Sequence, residues 1–148
     1  MSLSIQELWG LNNKAQENFL YSGKEKRYLE AFLIQSCLLE GSLKELMILL
    51  IKKELRQSDD IVKRKEKKYK FDTVIDDLYI MRAINIKEFN DLHKYRKDRN
   101  RYIHHLIKKD YRNLNRSLKS VYQRGSSLVV NILKKLERIL KSGPKLRK

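Results

Sequence analysis

Between Tyr95 and His105 the chain reads Tyr-Arg-Lys-Asp-Arg-Asn-Arg-Tyr-Ile-His-His, so a permanent cation, a carboxamide and an imidazole follow one another at Arg99, Asn100 and His104. These residue types suit phosphoryl chemistry. Arginine offers fixed, forked donors to a phosphoryl group whose transition state gathers negative charge, and histidine titrates near neutrality and can hold or release a proton there. On a helix at about 100° per residue with Arg99 at zero, Leu92, Ile103 and Leu106 fall within about 40°, and Phe89 and Ile107 near 80°. Arg99 therefore sits inside an apolar arc, and Arg96 shares it. A guanidinium cannot shed its proton and is costly to bury unpaired, so this pair must find carboxylates, a dimer cleft or a bound anion. Asp72, Asp76 and Asp77 are carboxylates that would make it a structural ion-pair cluster rather than a reactive one. Asn100, His93 and His104 border the arc together, between about 100° and 140°.

Other chemistries find less support. The three histidines show no i, i+4 pairing, and the chain has no HExxH motif and no Cys/His cluster, so no metal site is expected. No glycine-rich phosphate loop or nucleophile elbow is present, and no cofactor is expected. His93 reads as a surface or hydrogen-bonded core histidine. Cys37 falls in an apolar stripe and reads as a small buried residue rather than a thiol nucleophile.

The run from Tyr95 to His105 resembles the signature of the HEPN superfamily, an Arg followed after four to six residues by His, often with Asn directly after the Arg. The segment from Phe71 to Ile84 and the run into Arg99 resemble the helix pair that leads to this motif. The resemblance covers most of the chain in architecture and Phe71 to Leu106 in residue detail. It implies an all-α, up-and-down, HEPN-like bundle of about five helices. It also implies a metal-independent endoribonuclease that leaves a 2′,3′-cyclic phosphate, acting as a homodimer with two motifs over one cleft. Arg99 would stabilise charge on the scissile phosphate, His104 would act on the 2′-hydroxyl or the leaving oxygen, and Asn100 would order the site. His105 satisfies the same loose spacing but projects about 100° further round, away from Asn100. The setting implied is a toxin or phage-defence effector with an antitoxin protein as partner. Some HEPN toxins carry a Tyr two positions after the motif His that such a partner modifies; this chain has Leu106 there. Other HEPN domains serve as nucleotide-binding or interaction modules, and the alternative reading is a non-catalytic helical module that binds nucleic acid or a partner protein through the basic second part of the chain.

Long helices must carry these residues. The spacing of apolar positions predicts a first helix from about Ser4 to Tyr21, with Ile5, Leu8, Trp9, Ala15 and Phe19 inward and Ser22-Gly23 as its stop. A second runs from about Lys24 to Gln57 on a stripe that includes Phe32, Leu33, Cys37, Leu39, Leu43, Leu46 and Leu50. Gly41 inside it permits a bend or close packing. A third spans Phe71 to Met81. Asn85 and Glu88 form a reciprocal N-terminal cap, so a fourth begins there and continues to about Lys109. The fifth covers about Tyr111 to Leu140, and Gly125-Ser126-Ser127 interrupts its stripe as a potential kink.

Composition agrees with this picture. The chain has 148 residues, 5 Gly and 1 Pro, and its 41% apolar residues are enough for one core. The expected layout is one helical domain over residues 1–141 and a basic tail over 142–148. The 34 Lys and Arg against 18 Asp and Glu give +16, which makes a polyanion the first partner class to consider. The charge is uneven: residues 1–60 hold eight bases and nine acids, residues 61–148 hold 26 bases and nine acids. RNA contacts are therefore expected from the second part, at Arg96, Arg101 and the run Lys63, Arg64, Lys65, Lys67 and Lys68, which reads as a solvated loop or frayed helix end. The longest apolar stretch, Leu46 to Ile51, is far short of the roughly 20 residues a membrane span requires. A single cysteine and no basic-then-apolar leader point to a reducing cytoplasm.

Overall fold

The computed structural model describes residues 26–54, 59–107 and 114–142. Among them lie five helices and no strand: α1 Lys26–Glu54, α2 Asp59–Glu66, α3 Phe71–Ile80, α4 Ile86–Ile107 and α5 Leu114–Lys141. The all-α expectation holds, although the five helices are not the five read from the sequence. The expected first helix and the tail beyond Ser142 lie outside the described residues, and α2 takes in the first half of the basic run, expected as a solvated loop or frayed helix end, before the turn at Lys67 and Lys68. Val62 explains the difference. Its side chain is buried while Lys63 and Arg64 stay in solvent, so one apolar anchor suffices for a stretch of good helix formers.

α1 and α5 pack side by side and run parallel: Gln35 meets Tyr122 and Ser126 near one end, and Lys53 donates to the Ile139 carbonyl at 2.9 Å near the other. α4 is antiparallel to α5, with Glu88 at Lys135 and Asp98 at Arg124, and meets α1 through Tyr95 at Gln35. α3 and α4 form an antiparallel hairpin. The core fills the space between them with Phe32, Leu39, Leu43, Leu46, Ile75, Leu78, Leu92, Ile132 and Leu133, each of which stabilises the fold by about 1.5–3 kcal/mol when fully buried. Leu33 and Cys37, expected inside, are exposed on the flank of the α1 stripe. Gly41 is also exposed, and a methyl group there would meet nothing within 4 Å, so close packing is not its role.

Two helix ends fix the hairpin. At the start of α4, Asn85 Oδ1 accepts the Glu88 N–H and Glu88 Oε2 accepts the Asn85 N–H, both at 2.9 Å, which is the cap expected from the sequence. At the end of α3, the Arg82 N–H donates to the Tyr79 carbonyl and the Ala83 N–H to the Leu78 carbonyl, both at 2.9 Å. This is a Schellman closure with Arg82 in the left-handed position, at φ 58°, where glycine is the usual residue. A side chain in that conformation costs roughly 1 kcal/mol. Arg82→Gly is therefore expected to raise stability by up to about that amount, seen as a melting temperature a few degrees above wild type.

α5 runs unbroken through Gly125, Ser126 and Ser127, so the interruption of its apolar stripe does not end the helix. The glycine instead admits a polar cluster at the α1–α4–α5 junction. Gln35, fully buried, donates from Nε2 to the Tyr122 carbonyl and to Ser126 Oγ at 2.9 Å each, and its Oε1 accepts the Tyr95 O–H at 3.1 Å. All of its amide hydrogen-bonding groups are engaged, so the buried carboxamide is fixed rather than a liability. Burial pushes the Tyr95 phenol well above its ordinary pKa, so it stays a neutral donor. Phe32 packs between the Tyr95 and Tyr102 rings at 5.9 and 5.8 Å, which sets the rotation of α4.

Candidate functional site

With Leu92, Tyr95 and Tyr102 inward, Arg99 lies within the packed arc of α4, as its helical position requires. Its Nη2 is 3.2 Å from Glu40 Oε2 on α1, and its Cζ sits 5.5 Å from the Phe71 ring centroid. The sequence reading did not include Glu40 as a partner. The other oxygen of Glu40 takes Lys44 Nζ at 2.9 Å, so one carboxylate faces two cations and the cluster keeps a net positive charge. Arg99 retains 23% side-chain exposure, and its buried Nε has no hydrogen-bond partner among the described residues.

Arg96 lies one turn before Arg99, with Nη1 3.8 Å from Asp72 Oδ2, an ionic contact beyond hydrogen-bonding distance, and a buried, unpartnered Nε. The Thr73 backbone N–H holds the Asp72 carboxyl below its ordinary pKa, with the Arg96 charge adding to the effect, so Asp72 is ionised at neutral pH. His93 Nε2 is 2.9 Å from Asp76 Oδ1, and its ring meets the Phe89 edge at 4.5 Å. That is the hydrogen-bonded histidine expected. Arg101 is exposed, 3.3 Å from Asp98, whose second oxygen holds Arg124 at 2.8 Å.

Asn100 and His104 are exposed and make no hydrogen bond or ion pair among the described residues. They lie four residues apart, one above the other on the helix surface. His105 belongs to α4, but its side chain lies outside the described residues. Of the basic run, Lys63 and Arg64 are exposed on α2, Lys67 and Lys68 are exposed in the turn after it, and the Lys65 side chain is outside the described residues. The run leads directly into α3, whose first residue, Phe71, lies under the Arg99 guanidinium.

A cleft of about 400 Å³ between α4 and α5 is lined by Lys87, Asp91, Lys94, Arg124 and Asn131 among others, and includes none of Arg99, Asn100 and His104. Among the described residues no group of three or more His, Cys, Asp or Glu side chains is placed to hold a metal ion. No described helix is long and apolar enough to cross a membrane. No family model matches this chain, and no curated protein or solved structure matches it.

Proposed function

We propose that this chain is a metal-independent endoribonuclease of HEPN type, with Arg99, Asn100 and His104 as its reactive set. The observation that carries the reading is that α4 presents Asn100 and His104 to solvent beside an arginine braced by Glu40 and Phe71. A braced guanidinium loses little freedom when it meets a phosphate, and the surplus charge of the Arg99–Glu40–Lys44 cluster favours an anion. In the reaction the RNA 2′-oxygen attacks the adjacent phosphorus, the 5′-oxygen leaves, and a 2′,3′-cyclic phosphate remains. Arg99 stabilises the charge on the phosphoryl oxygens. His104 moves a proton at the 2′-hydroxyl or at the leaving oxygen, and Asn100 orders the site. The same reading includes a homodimer that places two copies of α4 near one cleft.

One observation favours the other reading, a non-catalytic RNA-binding module: Arg99 and Arg96 both have carboxylate neighbours within the chain, Glu40 and Asp72. Arg99→Ala separates the two. Under the ribonuclease reading it lowers the cleavage rate in EDTA by about 10²–10³-fold, the usual loss for one preorganised donor. A wild-type chain that binds RNA and leaves it intact selects the module.

Binding has its own test. Neutralising Lys63, Arg64, Lys65, Lys67 and Lys68 together is expected to flatten the log-linear salt dependence of RNA affinity without changing the product pattern, because phosphate contacts position the substrate. An unchanged slope in a salt titration moves the binding surface to α4 and α5.

A further inference from the structure

Three of the exposed large apolar side chains among the described residues, Tyr79, Ile80 and Ile86, cluster at the α3–α4 turn, at 40%, 74% and 56% exposure. Between them in sequence lies Arg82, exposed and in its left-handed conformation, with its backbone N–H on the Tyr79 carbonyl. An exposed cation and an exposed aromatic ring in one turn are the residue types that single-stranded nucleic-acid sites combine: charge for the backbone and a ring face for a base.

The turn is connected to the candidate reactive residues. Tyr79 packs at a tilt against Phe89 with ring centroids 4.7 Å apart, and Phe89 meets His93 at 4.5 Å, so the rings lead from the turn onto α4. Beyond His93, the positions Lys94, Lys97, Asn100, Arg101 and His104 share an outer arc of about 120° that contains no acidic residue. At the edge of this arc that faces α3, Asp72 and Asp76 lie against Arg96 and His93. Those carboxylates repel a phosphate backbone from the groove and leave the cationic ridge of α4 as its path. Phe89 and His104 are about 22 Å apart along the helix axis.

We propose that the α3–α4 turn is a base-stacking platform: Tyr79, backed by Phe89 and with Arg82 in the same turn, seats an unpaired base of a single-stranded RNA that continues along the α4 ridge to Asn100 and His104. The proposal rests on the RNA-directed reading above and narrows its substrate class. A base inside a duplex has no free face to offer this ring, so paired RNA gains only the phosphate contacts.

The test uses the full chain carrying His104→Ala to prevent cleavage, and measures affinity at fixed salt for a short unstructured RNA oligonucleotide and for the same sequence as a duplex. The single strand is expected to bind more tightly. Tyr79→Ala is expected to weaken single-strand binding about tenfold and leave duplex binding unchanged, while Tyr79→Trp retains the wild-type affinity. Arg82→Gly, whose effect on the fold is opposite in sign, is expected to weaken single-strand binding several-fold at a raised melting temperature. Single-strand affinity unchanged in Tyr79→Ala and Arg82→Gly, or reduced equally for strand and duplex, overturns the platform and leaves the ribonuclease reading standing. Failure of the parent chain to bind either RNA overturns both.

Discussion

Replacing His104 by alanine is expected to lower RNA cleavage by about 10²–10⁴-fold, the range attributed to one positioned acid or base. The fold should not notice. His104 is exposed and has no partner among the described residues, so its removal is expected to stay within about 0.5 kcal/mol of wild-type stability. His105→Ala is the matched control, because its position is turned about 100° away from the Asn100 side of α4. Single-turnover cleavage beside a thermal melt checks both variants. Full activity in His104→Ala, or the same loss in His105→Ala, contradicts the assignment.

Gly125→Ala is expected to destabilise the chain by about 3 kcal/mol, through overpacking and the loss of buried hydrogen bonds. The added methyl would stand 2.1 Å from Gln35 Oε1 and 2.5 Å from Cε2 of Tyr95. A glutamine end is normally a soft neighbour. Here it is tied to Tyr122, Ser126 and Tyr95, so moving it breaks a buried network, and the Tyr95 ring is confined by Phe32. The melting temperature should fall by on the order of 10 °C. Gly41→Ala makes the same chemical change where nothing lies within 4 Å, and gains helix propensity of up to about 1 kcal/mol. Opposite signs from one substitution at two helical glycines are the signature of this core. Stabilisation at both positions would mean that Gly125 acts through the helix backbone alone.

Much of the fold was legible because its signals are local. Asn85 and Glu88 close a cap on each other three residues apart, and α4 begins beside them as expected. Of the periodic positions Leu114, Leu118, Val121, Leu128, Ile132, Leu136 and Ile139, those from Leu118 to Leu136 are buried along α5, Ile139 is half-buried, and the Leu114 side chain lies outside the described residues. What sequence reading missed depends on partners far along the chain. Gly125 looks like a break in a stripe, and only the buried Gln35, ninety residues earlier, makes it a point of close approach. The helical projection establishes that Arg99 needs an anion, but the supplier is Glu40 on α1 rather than the aspartates of α3. α2 was hidden because its amphipathic signal comes from so short a stretch, with Val62 as its buried anchor. Cys37 and Leu33 followed the apolar stripe of α1 too broadly; both sit on its exposed flank.

The central claim is chemical, and the ends of the RNA fragments test it most directly. Purified wild-type chain is incubated with a labelled RNA in EDTA, and the fragments are resolved before and after removal of terminal phosphates. Attack by the 2′-oxygen, assisted by Arg99 and His104, is expected to leave 2′,3′-cyclic phosphate on the upstream fragment and a 5′-hydroxyl on the downstream one, with neither formed by His104→Ala. Intact RNA, fragments with 5′-phosphate ends, or cleavage that vanishes with chelator and returns with Mg²⁺ would contradict it.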